Sequence, residues 1–165
     1  MRRVTLVLLL LAFVFAGAPL MAADEIKGLL TVGGTPFKIT QAYAYAVPGT
    51  FDSKRDDVVV LLCDAIVPPT AQRDTFARRD LIKAGKLHCV QQTIDAKKQV
   101  IQFRVEDSRF KMPETGGSTE QVFEDKTFDG KTIAGRARTK SPQKSFDDIP
   151  YTYDITFSAT IEPKQ

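Results

Sequence analysis

The stretch from Tyr151 to Ile161 reads Tyr-Thr-Tyr-Asp-Ile-Thr-Phe-Ser-Ala-Thr-Ile. Its odd-numbered positions are aromatic, aliphatic or alanine, and its even-numbered positions are polar. Because successive side chains of a strand point to opposite faces, this period of two predicts one long strand with one face in a core and the other in solvent. It is the clearest secondary-structure signal in the chain, and it indicates a fold built on β-sheet.

Other segments carry related patterns. Apolar or aromatic residues alternate with other residues in a strand that begins near Thr35 and runs to Val47, and again from Ile101 to Val105. Val58 to Leu62 is continuously apolar, which is typical of a strand covered on both faces. Turn residues predict hairpins at Gly33-Gly34 and Asp129-Gly130. The strands predicted beside these turns are near 25–32, 119–128 and 131–139.

One segment has a helical pattern. Thr70 can cap a helix over Ala71–Ala84, and Gly85 stands where a left-handed residue ends a helix. We predict a helical insertion near 70–84 that covers an edge or an open end of the sheet. Its basic residues are assigned mostly to a solvated face, with contact to an anionic partner as the alternative, and they are Arg73, Arg78, Arg79 and Lys83.

Eight short strands, regularly spaced turns and one covering helix predict a mainly β fold. We expect an antiparallel β-sandwich of about eight strands, with a small closed antiparallel β-barrel as the alternative. The sandwich is favoured because Val58–Leu62 has the composition of a strand buried on both sides. Residues 24–165 have the length of a single domain.

The N-terminal 23 residues have the layout of a secretory signal peptide. Arg2 and Arg3 precede an apolar run from Val4 to Phe15, and small residues lead to Ala22 and Ala23. We expect cleavage after one of these two alanines and a periplasmic or secreted protein with no lipid anchor. The apolar run is too short for a comfortable membrane span, and the mature chain is expected to have none.

Charge argues against one class of partner. The formal net charge of the whole chain is +3, and it falls to +1 when Arg2 and Arg3 leave with the signal peptide. A nearly neutral chain with interspersed signs has no electrostatic footprint for nucleic acid. We therefore expect no nucleic-acid partner, and an unknown protein or envelope component as the partner instead.

Cys63 and Cys89 are the only cysteines. Export would place them in an oxidising compartment, where two thiols of one small domain usually pair. They flank the helical insertion, so a disulfide between them would tie the ends of that insertion together. The Cys-x-x-Cys spacing of redox-active pairs is absent, and we predict a structural disulfide.

His88 is the only histidine, and it offers an alternative for the same region. Cys63, Asp64, His88 and Cys89 contain the thiolate, carboxylate and imidazole groups that bind zinc or copper. Neighbouring strand residues point to opposite faces, so His88 and Cys89 are not expected to converge on one ion or to form a nucleophilic pair. We predict no metal, no cofactor and no catalytic residue.

Two further sets of residues have candidate roles. Acidic dipeptides could supply the paired carboxylates of a glycoside hydrolase, although their places at predicted strand ends and loops fit solvated charge; they are Asp56-Asp57, Glu106-Asp107, Glu124-Asp125 and Asp147-Asp148. Tyrosines at strand spacing could line one aromatic patch, in the core or around a ligand, if their strands are neighbours; they are Tyr43, Tyr45, Tyr151 and Tyr153.

Three functions remain open from the sequence. The first is an exported, non-catalytic β-domain that binds a partner protein, an envelope component or a small ligand through its loops. The long polar loops at 107–119 and 140–150 are the expected binding segments. The second is a hydrolase that uses carboxylates, and the third is a barrel that carries a small ligand among the four tyrosines.

Overall fold

The structure is a computed structural model and describes residues 26–117 and 119–164. The predicted signal peptide, residues 1–23, lies outside the described residues. The strands are β1 (Lys27–Val32), β2 (Thr35–Lys38), β3 (Gln41–Pro48), β4 (Asp56–Cys63), β5 (Cys89–Ile94), β6 (Val100–Glu106), β7 (Glu114–Gly116), β8 (Gln121–Phe128), β9 (Thr132–Thr139), β10 (Gln143–Lys144) and β11 (Pro150–Glu162). The helices, α1 (Pro69–Gln72) and α2 (Thr75–Lys83), both lie between β4 and β5 in the chain.

The C-terminal strand β11 organises one curled sheet. On one side β11 pairs antiparallel with β1 through residues 151–156, and on the other with β9 through residues 154–160. At its end, Ile161 and Glu162 pair in parallel with β3. From β3 the ladder runs antiparallel through β4, β5 and β6 to β7, while β2 extends β1 and β8 extends β9. No ladder joins β7 to β8 among the described residues.

The curl encloses one main core. Both halves of the sheet contribute buried apolar side chains to it, including Leu30, Ile155 and Phe157 from one half and Val60 and Val105 from the other. Along β11 the alternation predicted from the sequence is visible in the burial, since Tyr151, Tyr153, Ile155, Phe157 and Ala159 are all buried. The prediction of a mainly β fold is confirmed.

The sheet has more strands than the eight predicted. The single strand predicted from near Thr35 to Val47 is two strands, β2 and β3, separated at Ile39 and Thr40. This break occurs because β2 pairs with β1, whereas β3 pairs with β4 and β11. The other two additional strands, β7 and β10, are pairings of three and two residues within segments predicted as loops.

The helical insertion is two helices and not one. Asp74 has an extended backbone between them, and its side chain accepts hydrogen bonds from the N–H groups of Phe76 and Ala77 at 2.8 and 3.3 Å. Asp74, and not Thr70, is therefore the N-cap of the longer helix. The predicted end is correct, because Gly85 has a φ of 64° and follows the last turn of α2.

The helices cover the outer face of β4. Val60 and Leu62 point into the main core, and Leu61 and Cys63 point to the other side into a second cluster with Ala71 and other residues of the insertion. From Asp57 to Cys63 every residue of β4 is buried. The continuous apolar run at 58–62 is therefore covered on both faces, as its composition predicts.

Candidate functional site

The predicted disulfide is present at the centre of the helical layer. Cys63 and Cys89 are directly opposite each other in the register of β4 and β5, with their Cα atoms 4.3 Å apart. Both are completely buried among Leu61, Ala71 and Ile82. The bond closes the chain excursion that contains both helices, and so holds the helical layer at the sheet.

A buried arginine is the second attachment of this layer. Arg78 of α2 is completely buried, and its Nε donates to Glu106 Oε2 at 2.9 Å. Its remaining nitrogens donate to the carbonyls of Ala71 and Gln72 at 3.0 and 2.9 Å and to Gln91 Oε1 at 2.9 Å. One side chain thus connects both helices to β5 and β6.

This position corrects the assignment of Arg78 to a solvated face. The predicted solvated face includes Arg78 with its exposed neighbour Arg79, although Arg78 lies four residues before Ile82. Residues at this spacing share a helix face, and Ile82 faces the second core cluster. The spacing could have identified Arg78 as inward-facing, and Glu106 supplies the charge that makes its burial tolerable.

Asp107, next along the chain, is held by a different arginine. Arg109 donates to both oxygens of Asp107, with Nε at 2.8 Å from Oδ1 and Nη2 at 2.7 Å from Oδ2. Burial pushes the pKa of Asp107 upward, but the hydrogen bonds and charge of Arg109 outweigh burial and hold that pKa below its ordinary value. Asp107 is therefore an ionised structural anion near neutral pH and not a poised general acid.

His88 lies between two carboxylates. Its Nδ1 is 2.7 Å from Asp64 Oδ2, its backbone N–H donates to Asp64 Oδ1 at 2.8 Å, and its Nε2 is 3.9 Å from Asp107 Oδ2. The imidazole stacks on Phe37 at 3.7 Å between ring centroids. Of the four residues of the alternative metal site, the two cysteines are joined to each other by their sulfurs, and the His88 imidazole lies against a carboxylate and an aromatic ring.

A groove of about 560 Å³ opens beside Glu106 and Asp107 and lies between α2 and the segment 104–113. Its floor includes Glu106 and Asp107. Basic side chains from both walls line it, namely Arg79, Lys83, Arg104 and Lys111. Its apolar lining residues are Phe76, Ile82, Phe110, Met112 and Pro113.

Two of the apolar lining residues are unusually exposed. Phe76 is 76% exposed and Met112 is 65% exposed, although both side chains are large and apolar. A contiguous exposed apolar surface with a polar rim is typical of an interaction site, whereas isolated exposed apolar residues are ordinary. In the groove, exposed apolar and charged side chains occur together, because Phe76 and Met112 line it with the four basic residues.

The two predicted binding loops meet next to the groove. The backbone N–H of Lys111 donates to Asp147 Oδ2 at 2.8 Å, and the N–H of Phe146 donates to Glu114 Oε2 at 3.0 Å. These bonds place Phe146, which is 87% exposed, beside the segment that carries Met112. The 140–150 segment therefore lies against residues 111–114, and residues between 108 and 113 line the groove together with α2.

The four tyrosines do not come together. Tyr151 and Tyr153 lie in the main core, whereas Tyr43 and Tyr45 point to the other face of the sheet, because Ala44 between them faces that core. Tyr43 accepts a hydrogen bond from Val67 N at 3.0 Å, and the guanidinium of Arg73 lies 4.6 Å from the Tyr45 ring centre. Residues two apart in a strand share a face, so the two tyrosines of each pair lie on the same side of the sheet. The pair in β11 faces the main core and the pair in β3 faces away from it.

The core pair belongs to a buried polar network. Tyr153 donates to Gln121 Oε1 at 2.6 Å and accepts from Gln92 Nε2 at 2.9 Å, so it links β11, β8 and β5. Burial, with a contribution from Glu114, raises the pKa of Tyr151 to about 12. Burial also raises the pKa of Tyr153 strongly. Both hydroxyls stay neutral wherever the protein is folded near neutral pH.

These shifts predict a loss of stability in alkali. Unfolded tyrosine ionises near pH 10, and the folded state keeps Tyr151 protonated to about pH 12. The contribution of each buried tyrosine to the free energy of unfolding is therefore fully present below about pH 10. Above that pH it falls by as much as about 1.4 kcal/mol per pH unit for each tyrosine, because only the unfolded state loses the proton. Urea unfolding from pH 9 to 11.5 measures this slope. Tyr151→Phe is expected to remove the contribution of Tyr151 to this slope, and an unchanged slope would show that folding does not raise the pKa of Tyr151.

The acidic dipeptides occupy four different settings. Asp56 pairs with Lys164 and Asp57 accepts from Thr50 N at 2.7 Å. Glu124 pairs with two arginines, and Asp125 pairs with Lys98 at 2.5 Å. Asp147 accepts a hydrogen bond from the backbone N–H of Lys111, and Asp148 is exposed. Only Glu106-Asp107 lies at the groove, and both of its carboxylates are bound by arginine.

No helix among the described residues is long and apolar enough to cross a membrane. Comparison with known proteins finds no matching family model, no curated protein that matches and no solved structure that matches.

Proposed function

We propose that this protein is an exported, non-catalytic β-domain that binds a partner protein through the groove between α2 and segment 104–113. The leader-like residues 1–23 support export, because they have the charge and hydropathy layout of a signal peptide. The buried Cys63–Cys89 disulfide supports it independently, since such bonds persist in oxidising compartments.

The observation that carries the proposal is the composition of the groove surface. Phe76 and Met112 are exposed in the groove beside arginine and lysine side chains. Aromatic residues, methionine and arginine are enriched at protein interfaces, and aromatic anchors supply much of their binding energy. The contacts of Glu106 and Asp107 with Arg78, Arg104 and Arg109 are formed without a partner, so association does not have to create them.

The two other functions have less support. A carrier barrel needs the four tyrosines around one cavity, and they lie on two faces of the sheet. A hydrolase needs two carboxylates free to exchange protons with substrate. Glu106 and Asp107 are instead bound by Arg78, Arg104 and Arg109.

Site-specific photocrosslinking tests the proposal. A photoreactive phenylalanine analogue replaces Phe76 in the protein made by its native cells, and a matched variant carries it at Phe51. Phe51 is an equally exposed phenylalanine, at 81%, and it does not line the groove. We expect a protein adduct from position 76 and none from position 51, because only the former contacts the partner.

A further inference from the structure

We propose that the partner presents an acidic segment whose apolar side chains contact Phe76 and Met112. This inference rests on the proposed function, because it names the chemistry recognised by the same groove. A binding surface selects its partner by complementary charge around an apolar centre.

The charges of the groove favour an acidic partner. The groove's charged lining residues, taken together with the charged residues that pair with them, comprise six basic and four acidic side chains, a surplus of two positive charges. The basic ones are Arg78, Arg79, Lys83, Arg104, Arg109 and Lys111, and the acidic ones are Asp80, Glu106, Asp107 and Asp147.

The two acidic residues of the floor do not repel such a segment strongly. Glu106 accepts from both Arg78 and Arg104 at 2.9 Å, and Asp107 is bound through both oxygens by Arg109. Their charges are therefore neutralised from within the protein. The other cations that line the groove, Arg79, Lys83 and Lys111, are the charges that a partner meets.

The cations of the rim are available to a partner. Arg79 has only a 3.5 Å contact with its exposed neighbour Asp80, and an exposed pair of this kind contributes little to stability, so exchanging it for a partner carboxylate costs little. Lys111 is itself exposed, although its partner Asp147, at 3.4 Å, is mostly buried. Lys83 forms no ion pair with any residue in the part of the chain that the structure describes.

The apolar surface indicates a polypeptide segment. Phe76 and Met112 lie at the groove, and hydrogen bonds at Lys111 and Phe146 place a third exposed apolar side chain, Phe146, next to the Met112 segment. A small anion would contact the cations and leave these side chains in water. A segment with alternating acidic and apolar residues covers both kinds of surface.

Selection from a displayed library of random peptides of about twelve residues tests this inference. The oxidised wild-type protein is the bait, and the selected peptides are synthesised and their affinities measured. We expect enrichment of Asp and Glu together with aromatic or aliphatic residues. Arg79→Glu with Lys83→Glu is expected to weaken binding at least about tenfold, because both cations lie at the surface and their reversal repels the peptide.

Matched variants separate the possible outcomes. Lys54→Glu with Lys97→Glu makes the same change in net charge at exposed positions outside the groove, and we expect less than about a twofold effect. Equal losses in the two double variants, no enriched peptide, or peptides without acidic enrichment would overturn the inference. Selected peptides that lack acids but are lost with Phe76→Ala would leave the groove function standing, whereas peptides indifferent to Phe76→Ala would count against both.

A lipid surface is the competing source of negative charge. Co-sedimentation with vesicles of phosphatidylglycerol, compared with phosphatidylcholine, reports it directly. Binding to the anionic vesicles that is lost in Arg79→Glu with Lys83→Glu, without any acidic peptide from the library, would assign the surface to membrane and overturn the peptide inference. No difference between the vesicles, with acidic peptides selected, is the result we expect.

Discussion

Replacing Arg78 by methionine is expected to lower the free energy of unfolding by about 3–5 kcal/mol. The substitution keeps an unbranched aliphatic stem, so the volume that it removes is mainly that of the guanidinium group. It removes the buried one of the two arginine partners of Glu106, at 2.9 Å, and the donors to the carbonyls of Ala71 and Gln72. A buried carboxylate that loses one of its partners, together with buried carbonyls that lose their donors, makes the loss large.

The neighbouring residue provides the control. Arg79→Met removes a cation of the same type from the same helix, but Arg79 is more than half exposed, so we expect a change within about 0.5 kcal/mol. Urea unfolding followed by far-ultraviolet circular dichroism measures both, with the midpoints compared at constant slope. Equal destabilisation by the two substitutions would show that Arg78 is not the attachment described above. Adding Glu106→Gln to Arg78→Met is expected to recover part of the loss, because Glu106 then keeps only Arg104 as a cationic partner and the second substitution removes its buried charge.

Removing the disulfide is expected to have the second largest effect. Cys63 and Cys89 are separated by 26 positions. Closing a loop of that length in the unfolded chain corresponds to about 3.5 kcal/mol in the chain-entropy account. We expect Cys63→Ala with Cys89→Ala to lower the urea midpoint accordingly, with the loss concentrated in the helical layer, since the bond closes the excursion that carries it.

Reduction supplies the internal control for this prediction. A thiol reductant present throughout unfolding is expected to lower the midpoint of the wild-type protein and to leave that of the double alanine variant unchanged. Hydrogen exchange is expected to show faster opening at 69–83 than in β11 once the bond is removed. A wild-type midpoint that does not respond to complete reduction would contradict the stabilising role of the bond.

Features with a local cause could be predicted from the sequence. The alternation at 151–161 predicts β11 because strand geometry alone converts it into a buried and an exposed face. The continuous run at 58–62 predicts cover on both sides for the same reason. The disulfide followed from the count of cysteines and the expected compartment.

Features that depend on residues far apart in the chain could not be predicted from the sequence. The strand break at Ile39 and Thr40 exists because β2 and β3 pair with different strands. Neither residue at the break is of a type that predicts the end of a strand. Arg78 is buried because Glu106, 28 positions away, neutralises it. The groove needs α2 and segment 104–113 side by side, so the sequence could indicate a basic helix face and a loop but not the surface that they form together.

The binding claim is tested most directly by photocrosslinking at position 76 compared with position 51. Both variants replace an exposed phenylalanine by a photoreactive analogue, so reactivity and exposure are matched and only the location differs. We expect a discrete protein adduct at position 76 that is lost when Arg79→Glu and Lys83→Glu are added, and no adduct at position 51. Labelling of equal yield at both positions, or labelling at position 51 alone, would show that the groove is not the partner-binding surface.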